Sequence, residues 1–304
     1  MSALILPERV LYFPVTPFDE RGAVATGVLD DHLASRLAHN PGAVFIACGT
    51  GEFHALSLEE YQVVVGRGVT VAAGAVPVIA GTGGPLGHAL ECARAAERLG
   101  ADALLVLPPY LVAGPQPGIV AYVEAIAAAT ELPLIVYHRG TSQFSVDSIE
   151  RLAGNPRVAG FKDGVGDVAL AQEFVLAARR SGRTDLHFFN GLLTAELSQR
   201  AYRGIGVPLY SSAVFAMAPE IANAWFDAYT AHDDARVDQL LDGFYVPLVR
   251  LRDTTPGYAV SLIKAGLTLA GENVGSVRPP LVDPSEEHLA ELAAVLERGR
   301  ALVG

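Results

Sequence analysis

Residues 101–140 read ADALLVLPPYLVAGPQPGIVAYVEAIAAATELPLIVYHRG. The apolar runs Ala103–Leu107 and Leu134–Tyr137 have the length and continuous hydrophobicity of strands that are covered on both faces. Between them, Gly118–Thr130 carries apolar side chains at the spacing of one helix face. A strand, a helix and a second strand in this order predict a βαβ unit with parallel strands.

The same alternation continues through most of the chain. Six further apolar runs predict strands and bring the total to eight: Val10–Val15, Ala43–Ala47, Pro77–Ala80, Val158–Phe161, His187–Phe189 and Val207–Tyr210. Eight strands that alternate with helices are the count of a (β/α)8 TIM barrel. We therefore predict an α/β fold with a catalytic barrel over residues 1–232.

After the eighth strand the pattern becomes wholly helical. Pro219–Ala231 is predicted to close the barrel. Three later helices are predicted over Ala235–Arg252, Tyr258–Ala270 and Ser285–Arg300, with no strand between them. The prediction is a C-terminal helical extension over residues 233–304.

The composition narrows the possible partners. The 304 residues are 51% hydrophobic and carry 22 Lys and Arg against 33 Asp and Glu, for a net charge of −11. Because Arg179, Arg180 and Arg183 form the one small basic cluster, nucleic acid is not expected as a partner. No apolar run reaches the roughly 18 residues of a membrane helix, and Met1–Leu6 lacks the basic start of a secretion signal. No membrane association is expected.

Two rare residue types are informative. The two cysteines, Cys48 and Cys92, make no CxxC pair and no disulfide framework, which favours a reducing, cytoplasmic location. Of the 22 basic residues 20 are Arg, and the two lysines are Lys162 and Lys264. Arg stays protonated and cannot act as an amine nucleophile, whereas a desolvated Lys can. A lysine kept in an arginine-rich chain is therefore a candidate for amine chemistry.

The C-terminal ends of the predicted strands hold the candidate catalytic residues, because barrel active sites form in the loops that follow the strands. Lys162 follows the sixth strand, and an apolar barrel interior would lower the pKa of its amine and allow it to attack a ketone. Tyr137 ends the fifth strand, where its phenol would move protons. Thr50, after the second strand, is expected to hydrogen-bond Tyr137 and orient it.

The same strand ends offer groups that would bind a substrate. The turn Gly49–Gly51 would bring backbone N–H groups close to a carboxylate. Arg139 and His138 are candidate partners for a second carboxylate, and Ser211 and Ser212 are candidates for other substrate oxygens.

Each of these residues also has a plain structural interpretation. Asp163 or a nearby Glu would neutralise Lys162, and Tyr137 would be a core tyrosine with a bonded hydroxyl. Gly49–Gly51 would be an ordinary tight turn, and the two serines would cap the next helix. Lys264 lies inside an amphipathic helix of the extension, where a structural or solvated role is expected.

Cofactor motifs are incomplete. Gly81–Gly87 follows a strand and is glycine-rich, but Pro85 interrupts the turn and the third glycine of a dinucleotide fingerprint is missing, so NAD is not expected. The eight histidines show no HxH, HExxH or HxxxH spacing, so nothing indicates a metal. No glycine-rich phosphate cup follows the seventh and eighth strands, which favours an unphosphorylated substrate.

Several motifs together resemble one enzyme superfamily: Phe13–Asp19 (FPVTPFD), Gly49–Phe53 (GTGEF), Tyr137-x-Arg139, Gly160–Asp167 (GFKDGVGD), Tyr210–Phe215 and Tyr258–Gly266. The set is similar to the dihydrodipicolinate synthase/N-acetylneuraminate lyase superfamily, and within it to the 5-dehydro-4-deoxyglucarate dehydratase branch. The similarity extends over nearly the whole chain. Three departures argue against the synthase branch: Gly49 stands where a hydroxyl residue is usual, Leu111 where a Tyr is usual, and Ser142 where an Arg is usual.

The resemblance implies a class I Schiff-base lyase without a metal or an organic cofactor. Lys162 would form an imine with a 2-oxo sugar acid, Tyr137 would move protons, and Thr50 would support it. The implied reaction converts 5-dehydro-4-deoxy-D-glucarate into 2,5-dioxopentanoate, CO2 and water, in a homotetramer. Two alternatives stay open: an aldolase that releases pyruvate from a 2-keto-3-deoxy sugar acid, and a non-catalytic barrel that binds sugar acids.

Overall fold

A computed structural model describes residues 4–304, so the first three residues of the predicted barrel region lie outside it. Eight parallel strands close into one barrel in chain order, and the first strand pairs with the eighth. The strands are β1 Leu11–Tyr12, β2 Ala43–Ile46, β3 Val78–Thr82, β4 Ala103–Val106, β5 Leu134–His138, β6 Val158–Asp163, β7 His187–Asn190 and β8 Leu209–Ser212. The predicted TIM barrel is confirmed.

Helices follow the strands around the barrel: α1 Thr26–Leu37, α2 Leu58–Ala72, α3 Leu86–Leu99, α4 Gln116–Ala128, α5 Val146–Ala153, α6 Val168–Arg180, α7 Gln199–Gly204, α8 Val214–Met217 and α9 Pro219–Thr230. Single 3-10 turns form at Phe53–Ala55 and Ala195–Leu197. Local sequence sets several helix starts. Ser57 and Glu60, for example, form a reciprocal capping box at the start of α2.

The C-terminal region consists of α10 Asp234–Leu240, α11 Val246–Arg252, α12 Tyr258–Leu269 and α13 Glu286–Val303. The helix predicted over Ala235–Arg252 contains a π-helical turn at Leu241–Tyr245, between α10 and α11. The boundary predicted between residues 232 and 233 falls between α9 and α10, and the division into two domains stays a prediction. None of the helices within residues 4–304 has both the length and the apolar character that a bilayer crossing requires.

Side chains along each strand alternate between the barrel interior and the helix layer, as the two-residue period of a strand requires. The interior holds a compact group of 13 buried side chains that includes Phe13, Phe45 and Phe189. The stacked rings of Phe13 and Phe45 lie 4.4 Å apart between centroids. These rings form the floor on which the candidate site is built.

A register shift between β5 and β6 determines which side chains at the C-terminal end of β6 face the barrel interior. Leu134 of β5 pairs with Val158, but the next residue of β5 pairs with Gly160, so Ala159 is an extra residue on β6. An inserted residue reverses the inward and outward alternation downstream of it. As a result Lys162 pairs with Tyr137 and shares its inward orientation.

Candidate active site

Lys162 lies inside β6, near its C-terminal end, rather than just after the strand. Its side chain is 5% exposed, and the amine Nζ is 4.2 Å from the ring centroid of Phe13 and 4.4 Å from that of Tyr137. Within residues 4–304 the amine has no carboxylate partner. Its pKa is lowered to about 7, chiefly by burial; the Cys48 thiol opposes this shift and the nearby Arg139 charge adds to it. Roughly half of the amine is therefore neutral at pH 7, against about 1 in 2,500 for an ordinary lysine.

Asp163, the residue expected to neutralise Lys162 in a purely structural interpretation, points the other way. Its carboxylate accepts hydrogen bonds from the backbone of Val165 at 2.9 Å and of Gly166 at 3.3 Å, and from the hydroxyl of Tyr202. The alternation along β6 explains this, because adjacent residues face opposite sides of the barrel wall. The structural interpretation of Lys162 as half of an ion pair is wrong.

The hydroxyl of Tyr137 makes two hydrogen bonds. The hydroxyl donates to the carbonyl of Gly191 at 2.8 Å and accepts from Nη1 of Arg139 at 2.9 Å. Burial raises the pKa of Tyr137, and the Arg139 charge opposes the rise. The phenol is thus a neutral donor that lies beside a cation.

The predicted hydrogen bond between Thr50 and Tyr137 is absent from the described part of the chain. Thr50 and Gly49 line the cavity above Lys162, whereas Gly51 packs behind the loop. A Cβ at Gly51 would lie 3.3 Å from the carbonyl oxygen of Pro14, so the loop fits closely against the segment that follows β1. The partners of Tyr137 are instead Arg139, just after β5, and Gly191, just after β7. The sequence indicated Arg139 as a carboxylate partner and did not indicate Gly191.

Glu52 anchors the loop after β2 to the C-terminal helices. It is fully buried with φ of 55°, and its carboxylate lies 2.7 Å from Nζ of Lys264 in α12 and accepts from the backbone of Arg278 at 2.8 Å. Lys264 also donates to the carbonyl of Ser276 at 3.0 Å. The second lysine is structural, as predicted for a residue of that helix, but it is buried rather than solvated.

The two serines of β8 are adjacent on a strand and therefore face opposite sides of the barrel wall. Ser211 faces the interior and lines the cavity, where its hydroxyl is 3.4 Å from the carbonyl of Asn190. Ser212 faces the helix layer, donates to Glu196 at 2.6 Å and accepts from the backbone of Phe215 at 3.3 Å, so it caps α8. A substrate contact for Ser212 is therefore not supported by its position, and the capping alternative describes it.

His138 has the same outward orientation. Its Nδ1 accepts from the backbone of Phe144 at 2.9 Å, and its ring packs edge-on against Phe174 at 5.0 Å. Burial lowers its pKa. Of the two candidates for a second carboxylate at this strand end, Arg139 lines the cavity and His138 does not.

The cavity has a volume of 880 Å³ and is lined mostly by apolar side chains. One lysine and two arginines face it, Lys162, Arg139 and Arg252, and the histidines His54 and His88 also line it. In the described residues no Asp or Glu lines it, although the whole chain carries a net charge of −11. Arg252 and Thr194, which bond each other at 2.8 Å, were missed by strand-end reasoning; Thr194 follows β7, but Arg252 comes from the extension. A cavity with this charge is suited to an anionic ligand.

Groups that would hold a metal or a dinucleotide are not gathered here. Across residues 4–304 no three His, Cys, Asp or Glu side chains are arranged to hold a metal ion. Burial raises the pKa of the Cys48 thiol to about 12, so it stays protonated. Within the segment Gly81–Gly87, Gly83 is needed for packing, because a Cβ there would lie 2.7 Å from Cβ of Leu107.

A closed parallel barrel with a buried, unpaired lysine facing a tyrosine at its C-terminal mouth defines a lysine-centred (β/α)8-barrel enzyme. The chain belongs to the dihydrodipicolinate synthetase family, which matches residues 6–299. The superfamily resemblance inferred from the motifs is thereby confirmed.

Individual relatives indicate which branch of the family this chain resembles. The chain is 53% identical over 295 residues to a probable 5-dehydro-4-deoxyglucarate dehydratase 2 of Streptomyces coelicolor, covering 97% of this chain and 90% of the relative. It is 49% identical to a probable 5-dehydro-4-deoxyglucarate dehydratase 1 of Streptomyces avermitilis, covering 99% and 96%. Among solved structures, the dihydrodipicolinate synthase of Acinetobacter baumannii complexed with pyruvate is 27% identical, with a TM-score of 0.84 and coverage of 96% and 98%.

Proposed function

We propose that this chain is a decarboxylating dehydratase that converts 5-dehydro-4-deoxy-D-glucarate into 2,5-dioxopentanoate, CO2 and water through a Schiff base on Lys162. The choice of substrate follows the names of the relatives at 49–53% identity. The observation that carries the chemistry is the buried Lys162 amine, which has no counter-ion among residues 4–304 and lies 4.4 Å from the centroid of the Tyr137 ring. A neutral amine in a cavity lined by cations suits attack on the ketone of a sugar-acid anion.

Imine formation uses the two residues in turn. The neutral Lys162 amine attacks the C5 ketone, and Tyr137 gives its proton to the departing oxygen, which leaves as water. The resulting phenolate is stabilised by the Arg139 hydrogen bond and removes a proton from C4, which the iminium has acidified. The product of this step is an enamine, with Tyr137 protonated again.

Dehydration and decarboxylation then follow from the same electron flow. The enamine expels the C3 hydroxyl, which takes a proton to leave as water, and a conjugated iminium forms. This iminium accepts the electron pair of the C1–C2 bond, so the C1 carboxylate leaves as CO2. Protonation of the carbon skeleton and hydrolysis of the imine release 2,5-dioxopentanoate and restore Lys162.

The remaining cavity groups bind the substrate in this proposal. The backbone of the Gly49–Gly51 turn takes the carboxylate beside the ketone, and Thr50 supports the reacting end. Ser211 binds a substrate hydroxyl. Gly51 contributes by allowing the loop to lie against Pro14, and Ser212 acts by fixing the start of α8.

We also propose a homotetramer in the cytoplasm. The free thiols of Cys48 and Cys92 fit a reducing compartment. Three consecutive apolar residues of the loop after β4, Tyr110, Leu111 and Val112, are 64%, 78% and 68% exposed, and such a patch fits a subunit contact.

The decisive experiment is borohydride trapping with 5-dehydro-4-deoxyglucarate, read by peptide mass spectrometry. Because the chain has two lysines, the Lys264 peptide serves as an internal control in every sample. We expect an adduct on the Lys162 peptide whose mass corresponds to the substrate less water and CO2, and none on the Lys264 peptide.

Other outcomes separate the alternatives. An adduct of pyruvyl mass on Lys162 would replace the dehydratase by the aldolase. The absence of any adduct, from this substrate and from pyruvate, would exclude the Schiff-base mechanism and leave a binding role for the cavity. Lys162→Met is the matched negative control.

A further inference from the structure

Arg252 is the one cavity cation that the C-terminal extension supplies. It is the last residue of α11, and its side chain is 14% exposed. Nη1 donates to the hydroxyl of Thr194 at 2.8 Å, and Nε donates to Asp253 at 2.8 Å. Asp253 is 61% exposed, so water screens that ion pair and leaves much of the Arg252 charge available to the cavity.

The guanidinium has donors to spare. Of its five N–H groups, one is bonded to Asp253 and one to Thr194, and within residues 4–304 the nitrogen Nη2 makes no bond. The edge formed by Nη1 and Nη2 is the edge that arginine uses for two parallel hydrogen bonds to a carboxylate. Thr194 holds this edge in place without neutralising it.

The segment Gly191–Thr194 connects the surroundings of the reacting amine with those of Arg252. Gly191 touches the Lys162 side chain and accepts the Tyr137 hydroxyl, whereas Thr194 binds Arg252. Three residue steps span at most about 10 Å. The end carbons of a six-carbon diacid are five bonds of about 1.5 Å apart, or about 6 Å in zigzag. The length of such a diacid is thus of the same order as the span between the surroundings of Lys162 and those of Arg252.

Arg139 is unsuited to the far end of such a ligand. Its Nη1 is committed to the Tyr137 hydroxyl at 2.9 Å, and Tyr137 itself lies against the amine. Arg139 therefore acts where the ketone reacts. Arg139 thus serves the ketone end of the ligand, and Arg252 is left for the other end.

We propose that Arg252, held by Thr194, binds the carboxylate of the substrate that is remote from the ketone, and so selects six-carbon diacids over monoacids. This inference rests on the Schiff base proposed for Lys162. The remote carboxylate is the one that leaves as CO2, so its interaction with Arg252 is strongest before the carbon–carbon bond breaks. Arg252 therefore contributes to substrate binding more than to the rate of the bond-breaking step.

The test measures binding without relying on turnover. Borohydride trapping at Lys162 is titrated with 2-oxoadipate, a six-carbon 2-oxo diacid, and with 2-oxohexanoate, its monoacid counterpart. In the unmodified protein we expect half-saturation at about 10- to 100-fold lower concentration for the diacid, as expected for a charged hydrogen-bonded pair. Arg252→Gln should abolish this preference and leave 2-oxohexanoate trapping unchanged. Thr194→Val should reduce the preference in part.

Arg250→Gln is the matched control, because Arg250 lies on the same helix and is exposed. With the natural substrate, Arg252→Gln should raise KM about 10- to 100-fold with a much smaller change in kcat. A diacid preference that is absent, or that survives Arg252→Gln, would overturn the inference while the Schiff base stands. Failure of both 2-oxo acids to form any adduct would instead show that the proposed function itself is wrong.

Discussion

The buried Lys162 amine, which has no counter-ion in the described part of the chain, lowers the free energy of unfolding when it is charged. Burial lowers its pKa to about 7, because the folded state disfavours the charged form. In the unfolded chain the pKa returns to about 10.4. Between these values the unfolded state binds more protons, so stability gained from this group rises with pH across about 7 to 10.4.

Lys162→Met should therefore stabilise the protein while it abolishes trapping. At pH 6 the unmodified amine is charged in both states, and the variant should gain at most roughly 5 kcal/mol in free energy of unfolding. At pH 9.5 the gain should fall to about 1 kcal/mol, because the amine is then mostly neutral in the folded protein. Urea unfolding of both proteins at the two pH values measures the difference. A gain that is equal at both pH values, or a loss, would contradict the desolvation of Lys162.

Candidate site residues could be predicted from the sequence where they lie at the end of a strand. Lys162 and Tyr137 could be named because each ends a buried apolar run. The two-residue period of a strand would also have predicted that Ser211 and Ser212 face opposite sides of the barrel wall. Arg252 could not be found this way, since the helical period of α11 does not tell which side of the helix faces the barrel mouth.

Among the elements, α12 and the loop after β2 depend on each other through Glu52 and Lys264. Both side chains are almost fully buried, and their contact of 2.7 Å ties the extension to the loop that carries Thr50. Burial lowers the pKa of Lys264, and the Glu52 charge opposes that change. The pair positions the loop more than it stabilises the fold, since two buried charges gain little over apolar replacements.

Lys264→Met should destabilise the protein by about 3–5 kcal/mol, because it leaves the Glu52 carboxylate buried without its cation. The double variant with Glu52→Gln should recover most of that loss, since the amide still accepts the Arg278 backbone bond. Thermal unfolding of the two variants, alongside Glu52→Gln alone, measures the coupling. A double variant that is as unstable as Lys264→Met would show that the pair is not the cause.

Element order was predicted well, and element ends less well. All eight strand positions follow from the apolar runs, but β1 is paired over just two residues and β6 extends to Asp163. The extra residue Ala159 was not predictable, because a bulge depends on the neighbouring strand and leaves no mark in the hydrophobic pattern. That bulge directs Lys162 inward, so the sequence indicated Lys162 as a candidate without the geometry that turns it into the barrel.

At the scale of the whole molecule, charge is unevenly distributed. The chain has a net charge of −11, yet its main cavity is lined by Lys162, Arg139 and Arg252 and, within residues 4–304, by no carboxylate. The acidic surface favours solubility, while the cationic interior favours an anionic ligand. This contrast was not visible in the composition, because it arises from closure of the barrel and from one arginine of the extension.

The last prediction concerns assembly. Tyr110, Leu111 and Val112 are exposed, the first two also line the cavity, and Leu111 has a φ of 62° that a leucine adopts at a cost. If this patch is a subunit contact, light scattering should give a mass near four times the chain mass of 31.9 kDa. Leu111→Glu should lower that mass, because it would bury a charge in an apolar contact. Val282→Glu, at an aliphatic residue that is 54% exposed elsewhere, should not. A monomeric parent, or a Leu111→Glu variant of unchanged mass, would contradict the assembly through this loop.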